Sequence, residues 1–428
     1  MASITTTTLS HSEALIQKED KYGAHNYHPL PVVLSRGKGV FVWDVEGNKY
    51  YDFLSAYSAV NQGHCHPRII KALKAQASVL TLTSRAFHNN LLGECEEFMA
   101  KLFGYDKVLM MNSGVEAVET AMKLCRKWAY KVKGIEENKA KILFAKGNFH
   151  GRTLSVISAS NDPSSRTGFG PFIEGVDTIP YNDLTALKNA IQQDKNIAGF
   201  IVEPIQGEAG VVVPDEQYLW GVAQICKDNN VLFIADEIQT GIARTGKLLA
   251  TCGNCTCKNG CEGNPSVKPD MLILGKALSG GVLPVSAVLA NDEIMLTIKA
   301  GEHGSTFGGN PLACAVATEA LKVVIDEKLA ENAAKMGELF REGLRQMAQR
   351  HPIITLVRGK GLLNAIVVDT TEDSDLAWDL CLKFRDNGLL AKPTHGNKIR
   401  LAPPLVITEK QIKESLTIIE KSLVDMGL

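Results

Sequence analysis

The chain has 428 residues, 45% hydrophobic and 22% charged, with 46 Lys and Arg against 47 Asp and Glu and a formal net charge of -1. These are globular values, and a near-neutral chain without a long block of one sign argues against nucleic acid or a membrane surface as the main partner. The length exceeds one ordinary compact core, so two or more domains are expected, and no apolar run approaches the length of a spanning helix.

The N-terminal stretch MASITTTTLSHSEALIQKED has neither an apolar signal core nor an Arg, so it reads as neither a secretory nor a mitochondrial signal. With ten Cys in such a chain, reduced thiols and a cytosolic home are expected. Residues 21–31 (KYGAHNYHPLP) are aromatic, His-rich and closed by Pro, which predicts an ordered arm rather than a helix. Segments 40–44 and 49–52 flank Val45-Glu46-Gly47-Asn48, a hairpin signature. Residues 52–66 form an irregular, polar-dotted loop, and 67–80 and 89–102 have helical periodicity.

A short strand at 108–111 runs into Asn112-Ser113-Gly114-Val115-Glu116-Ala117 and a helix to about residue 130. Free backbone N–H groups and the positive end of the helix dipole make this an anion site, with an ordinary capped helix as the alternative. It has neither a Lys in the turn nor a G-x-G-x-x-G spacing, so it is neither a P-loop nor a dinucleotide fingerprint. The strand at 141–145 leads into Gly147-Asn148-Phe149-His150-Gly151-Arg152-Thr153. Phe149 can stack on a flat cofactor and Arg152 can hold a carboxylate bidentately; a packed Phe and a solvated Arg are the alternatives. Strand 197–202 ends in a Gly/Pro loop with two acids, Glu203 and Glu208.

Helix 216–229 then feeds the apolar run 231–235, which stops on Asp236 and Glu237, and a second run, 271–274, is followed by Gly275-Lys276-Ala277. Burial disfavours the charged form of a lysine so placed and makes it a usable nucleophile, one that forms Schiff bases with aldehydes. An acid at a neighbouring strand end suits the protonated pyridine nitrogen of pyridoxal phosphate. A surface Lys in a Gly-rich turn and an Asp at a helix cap are the alternatives for each residue alone. After a strand at 285–290, the alternation predicts a mostly parallel sheet with covered faces and ligands at its strand C-termini. Residues 112–115, 149–152, 203–208, 236–239 and Lys276 all fall at such ends, and this convergence favours the functional reading.

A Gly-rich loop at 301–311 carries Ser305 and Thr306. Helices at 311–326 and 329–350, strands near 354–358 and 364–368, a helix at 375–387 and a final helix from Thr408 make an α+β unit. Arg400 sits in a short strand ended by Pro403-Pro404, beside an apolar segment where an unpaired charge would be expensive.

These motifs (NSGVEAVETAMKLCRKW, GNFHGRT, VEPIQGEAG, ADEIQTGIARTG, LGKALSGG and GSTFGGNP) resemble the class III aminotransferases of pyridoxal-phosphate fold type I, from about Lys21 to the end. The resemblance implies an α/β fold with a large domain on a mostly parallel seven-stranded sheet and a smaller α+β domain. The expected division is 1–55 as arm and hairpin belonging to the small domain, 56–310 as the large cofactor-binding domain, and 311–428 as linking helix and C-terminal small domain. It also implies that Lys276 carries the cofactor and shuttles the proton, Asp236 pairs with the pyridine N–H, Gln239 bonds the ring hydroxyl and Phe149 stacks on the ring. Ser113, Gly114 and Val115 would hold the phosphate, with Ser305 and Thr306 donated by the partner subunit of a homodimer. The arm KYGAHNYHPLP, the loop SAYSAVNQGHCHP and the tail GLLAKPTHGNKIRLAPPLVI look like the members that act on ornithine, passing its δ-amino group to 2-oxoglutarate. In those members, residues matching Arg152 and Tyr27 take the ornithine carboxylate. One matching Arg400 is masked by one matching Glu208 until the dicarboxylate arrives, and one matching Tyr57 favours ornithine over related amines. Rival readings are an acetylornithine or GABA aminotransferase, a regulatory subunit without turnover, and an isomerase or decarboxylase on the same fold. The Tyr27 arm and Tyr57 argue against the first, an intact Lys276 with Asp236 against the second, and two carboxylate-binding Arg candidates against the third.

Residues 251–264 look inserted relative to the family pattern, and they hold Cys252, Cys255, Cys257 and Cys261. An inert loop, a reversibly oxidised thiol pair and a zinc clip remain open there; four thiols exceed what an inert loop needs, which favours the redox pair.

Overall fold

The structure, a computed structural model, describes residues 9–251 and 267–428. The four clustered cysteines of the insertion therefore lie outside the described residues. A seven-stranded sheet forms the centre. Its spatial order is Lys107–Met111, Ser286–Ala290, Met271–Leu274, Leu232–Asp236, Ile197–Val202, Lys141–Ala145 and Val176–Ile179. From Met271–Leu274 outward to Val176–Ile179 all neighbours are parallel, whereas Ser286–Ala290 runs antiparallel to both of its neighbours.

Every residue of Ile197–Val202, Leu232–Asp236 and Met271–Leu274 is buried, as a sheet covered on both faces requires. Side chains alternate along each strand, so the two faces recruit different helices. Met271 and Ile273 join Ala117, Ala121 and Cys125 of helix Gly114–Trp128. Leu272 and Leu274 join Ala313, Ala317 and Leu321 of helix Pro311–Asp326. Farther along the sheet, Phe200 and Phe233 pack with Val222 and Cys226 of helix Tyr218–Asp228.

Two smaller sheets flank this core. Leu34–Lys38, Phe41–Asp44 and Lys49–Asp52 form an antiparallel meander, and Leu389–Leu390 adds to it in parallel. The N-terminal hairpin is thereby tied to the C-terminal part of the chain. The other sheet runs Ile354–Lys360, Leu363–Val368, Lys398–Leu401 and Lys392–Thr394, antiparallel throughout, and carries Arg400. Among the described residues no helix is long and apolar enough to cross a membrane.

Three local features depart from the sequence expectation. Residues 11–22 form a helix, His11–Tyr22, with a Ser10–Glu13 capping box, so the expected arm begins inside it. None of its residues is buried, which is why it shows no apolar stripe. Val176–Ile179 is a short, half-exposed edge strand without an apolar run. Within the loop at 52–66, residues 55–58 form a left-handed turn, with φ of 50, 46, 59 and 71° at Ser55, Ala56, Tyr57 and Ser58. That conformation costs an L-residue roughly 1–2 kcal/mol. Asp52 holds the turn: its Oδ1 accepts from the Leu54 and Ser55 amides at 2.9 and 2.8 Å, and its Oδ2 lies 2.7 Å from His64 Nε2.

Helix Leu329–Arg350 lies so close to the turn between strands Ile354–Lys360 and Leu363–Val368 that backbones touch. Gly337, in helix Leu329–Arg350, leaves no room for a Cβ, which would lie 1.8 Å from the Gly361 carbonyl oxygen. Gly337→Ala should therefore destabilise the protein by about 1–3 kcal/mol although alanine is the better helix former. A melting temperature at or above that of the wild type would show that the helix can move away freely.

Candidate active site

Asp236 lies opposite Ile273 in the parallel register of the two central strands, so the strand ends deliver Asp236 and Lys276 to one edge of the sheet. A cavity of about 240 Å³ opens there. Its walls include Gly114, Val115, Phe149, His150, Glu203, Glu208, Asp236, Ile238, Gln239 and Lys276. Each strand-end segment singled out in the sequence contributes at least one of them.

Lys276 follows Gly275 and has a left-handed backbone, φ 42°, a strained geometry tolerated where the surroundings enforce it. Its amine takes no hydrogen bond among the described residues and lines the cavity. Burial lowers its pKa; Glu208 and Asp236 oppose the shift and Arg400 adds to it. The amine is thus more readily unprotonated than a surface lysine.

Asp236 is 4% exposed. Its Oδ1 accepts from the Ile238 amide at 3.0 Å, and its Oδ2 lies 2.7 Å from His150 Nδ1. A carboxylate oxygen accepts, so Nδ1 carries the proton. His150 Nε2 is buried and has no hydrogen-bond partner among the described residues. Burial works to lower the His150 pKa, but Asp236 and then Glu203 outweigh it and the net shift is upward. Glu203 accepts from the Phe149 amide at 2.9 Å. Burial pushes it up to about 7, with His150 opposing and Asp236 adding.

On the other side of the cavity, Arg400 Nη1 donates to Glu208 Oε1 at 2.6 Å, and its guanidinium stacks 4.9 Å from the centre of the Tyr57 ring. Gln239 joins the pair, with Nε2 donating to Glu208 Oε1 at 2.9 Å and Oε1 lying 3.4 Å from Arg400 Nη1. Burial works to raise Glu208, but Arg400, Lys276 and Gln239 outweigh it and hold it down at about 2. Arg400 is 3% exposed, so its charge is answered inside the protein.

At the helix start, the Glu116 carboxylate takes the Asn112 and Ser113 amides at 3.1 and 2.6 Å and the Ser113 hydroxyl at 3.1 Å. Among the described residues the Gly114 and Val115 amides have no partner, at the positive end of the helix dipole. A Cβ on Gly114 would lie 3.1 Å from Ile238 Cδ1, so glycine keeps this cradle open.

The remaining expected residues stand at the rim or outside. Arg152 is exposed, with Nη1 3.3 Å from Ser165 Oγ and its guanidinium 5.5 Å from the Phe149 ring centre. Tyr27 is 72% exposed but near enough to Tyr57 to help raise its phenol. Ser305 accepts from Asn112 Nδ2 at 2.6 Å, beside the cradle, while Thr306 is exposed. Within one chain, neither Tyr27 nor Thr306 reaches the cavity. His150 had no role assigned from sequence; its position next to Phe149 at a strand end was the available signal.

Glu203 keeps its proton to about pH 7 in the folded protein, against an ordinary value of 4.5. The folded state therefore binds the extra proton, and the stability this contributes is present below pH 4.5 and lost as pH rises through 7. In Glu203→Gln this part of the pH dependence should vanish, read as denaturation midpoints across that range. Parallel profiles for the two proteins would mean that Glu203 titrates normally.

The sequence matches the family described as Aminotransferase class-III over residues 22–423. A Rattus norvegicus protein named "Ornithine aminotransferase, mitochondrial" is 63% identical over 412 residues, 96% of this chain and 90% of its own. The solved ornithine aminotransferase of Toxoplasma gondii superposes with a TM-score of 0.93 at 48% identity, covering 98% of this chain and 96% of its own. A structure named acetylornithine aminotransferase from Elizabethkingia anophelis gives 0.87 at 59% identity, covering 97% and 100%. The chain belongs to the class III aminotransferases.

Proposed function

We propose that this protein transfers the δ-amino group of L-ornithine to 2-oxoglutarate, giving glutamate 5-semialdehyde and L-glutamate. The observation that carries the reading is the Arg400–Glu208 pair beside Lys276, a cation held in reserve in a site that must serve a monocarboxylate and a dicarboxylate in turn.

Class III aminotransferases use pyridoxal phosphate. The residues present fit it: an open helix N-terminus, an unbonded lysine and a buried carboxylate surround one cavity. In this reading the Gly114 and Val115 amides with Ser113 would hold the phosphate, and Phe149 and Ile238 would pack against the ring. Asp236 would accept from the ring nitrogen, Gln239 would bond the ring hydroxyl and Lys276 would be the point of attachment. When bound, the cofactor supplies an electron sink for the carbon that loses its proton. Lys276 Nζ, with its lowered pKa, takes that proton and returns it. Asp236, steadied by His150, holds negative charge beside the ring nitrogen.

Substrate selection falls to the outer residues. Arg152 with Tyr27 binds the single carboxylate of ornithine, while Glu208 keeps Arg400 neutralised. When 2-oxoglutarate enters, its second carboxylate replaces Glu208 on Arg400, one charge-assisted bond for another. Tyr57, held by the left-handed turn, supports the Arg400 guanidinium and narrows the site. The loop with Ser305 and Thr306 lies beside the cradle and exposes Phe307 to 56%, so we read it as the contact through which a second copy completes each site.

A donor panel of ornithine, N-acetylornithine and 4-aminobutyrate with 2-oxoglutarate tests the substrate. Ornithine should be the best donor, scored by semialdehyde formed; a preference for N-acetylornithine, the activity named for the Elizabethkingia protein, would replace the reading. The purified protein should show a visible absorption band that Lys276→Ala abolishes, and cofactor fixed by borohydride at another lysine would refute the attachment site. Glu208→Ala should weaken the ornithine half-reaction by roughly ten- to a hundredfold, the worth of a charge-assisted bond, and spare the 2-oxoglutarate half-reaction. Equal losses in both half-reactions would rule out the exchange.

A further inference from the structure

The loop leaving Asp236 passes through Ile242 and Ala243, both left-handed with φ of 53 and 71°, and reaches Arg244, which is 0% exposed. Arg244 is a buried cation whose hydrogen-bond partners among the described residues are all neutral oxygens. Nε and Nη2 donate to Asn61 Oδ1 at 3.1 and 2.6 Å, and Nη1 donates to the carbonyls of Leu362 at 2.9 Å and Pro403 at 2.7 Å. Burial pushes it down to about 9, with Asp52 opposing and Arg400 adding, so it stays charged at neutral pH. A buried cation without a bonded carboxylate is costly to keep.

Its partners come from three separate segments. Asn61 lies in the loop before helix Pro67–Ala77, Leu362 in the turn before strand Leu363–Val368, and Pro403 just beyond strand Lys398–Leu401, which carries Arg400. The junction is laced further: the Leu362 amide donates to the Arg244 carbonyl at 3.0 Å, the Leu405 amide to the Asn61 carbonyl at 2.8 Å, and Asn61 Nδ2 to the Ile242 carbonyl at 2.9 Å. One guanidinium thus joins the chain just after Arg400 to the loop that carries Asp236 and Gln239.

We propose that Arg244 is a positioning residue for Arg400: it sets the place of the Arg400 strand over the cavity and thereby the fit of the second carboxylate of 2-oxoglutarate. The proposal rests on the reading of Arg400 given above. The geometry demands a guanidinium, because the three acceptors lie in different directions and a lysine ammonium, a point charge on a flexible stem, cannot span them together. A small shift of the loop relative to the strand would move Arg400 relative to Gln239 and the cavity where the second carboxylate docks, while Glu208, which comes from a separate loop, can still answer its charge. Arg152, bonded to Ser165 within the large domain, does not depend on this junction, so the ornithine end should be largely spared.

The test compares KM for the two substrates in Arg244→Lys and Asn61→Ala of the holoenzyme. Arg244→Lys should raise KM for 2-oxoglutarate at least about tenfold and KM for ornithine by less than about threefold, since a displacement near 1 Å has effects of that order or more. Asn61→Ala keeps both carbonyl bonds and should shift the same ratio less; it carries the test alone if Arg244→Lys does not fold. Arg400→Gln is the control. If it leaves KM for 2-oxoglutarate unchanged, the reading of Arg400 itself is wrong. If it raises that KM while the other variants change both KM values equally, or lower only the melting temperature, the positioning role is overturned.

Discussion

A carboxylate at the end of a strand buried on both faces is the constraint on which this site depends. Asp236 sits there at 4% exposure, and a charge so placed is tolerable only with a bonded partner. His150 Nδ1 supplies that partner at 2.7 Å. Glu203 brings a second acid to the same place, and its proton is held to about pH 7 because burial and the neighbouring Asp236 disfavour another negative charge. Three acids, Asp236, Glu203 and Glu208, thus face one imidazole, one lysine and one arginine. The protonated ring nitrogen of the family's cofactor would add the cation that the inner end of this cavity is arranged to receive.

Topology decides where these charges can meet. Parallel strands deliver their C-terminal ends to a single edge, so residues far apart in the chain reach one cavity. The antiparallel strand Ser286–Ala290 lies between Met271–Leu274 and the edge strand Lys107–Met111 and binds the helix start: Ser286 Oγ donates to the Ser113 carbonyl at 2.7 Å. Arg400, the partner of Glu208, comes from the C-terminal part of the chain, whose placement relies on backbone contact. Gly361 is packed against the Thr245–Gly246 backbone so closely that a Cβ would lie 2.3 Å from Thr245 C, and its carbonyl accepts from Arg341 Nη1 at 2.7 Å. The C-terminal part of the chain therefore meets the loop after Asp236 both by backbone contact and through the buried Arg244 side chain.

Local strain recurs in the segments that position the site. Lys276, Ile242, Ala243 and the turn at 55–58 all have positive φ. Each serves placement: Lys276 turns its amine inward, Ile242 and Ala243 bring Arg244 to the Pro403 carbonyl, and the turn brings Tyr57 beneath Arg400. Non-glycine residues in this region persist only where surrounding contacts over-determine them, and here Asp52 and Asn61 provide many of those contacts.

The sequence by itself determined the strands whose apolar runs are continuous and the acids and lysine that end them. Ile197–Val202, Leu232–Asp236 and Met271–Leu274 were legible because burial on both faces keeps polar residues out of each run up to the Asp236 that ends the second. Helices Pro311–Asp326 and Leu329–Arg350 were legible for the related reason that one face of each is apolar. Helix His11–Tyr22 was not, since it buries nothing and owes its start to a cap. Neither were the left-handed turn at 55–58, the His150–Asp236 bond and the bonds of Arg244, because Ser, Ala, Tyr, His and Arg carry no local mark of such roles. Those features were decided only by the tertiary structure: which partner answers a buried charge depends on which segments the sheet edge and the domain junction bring within about 3 Å, the reach of a hydrogen bond.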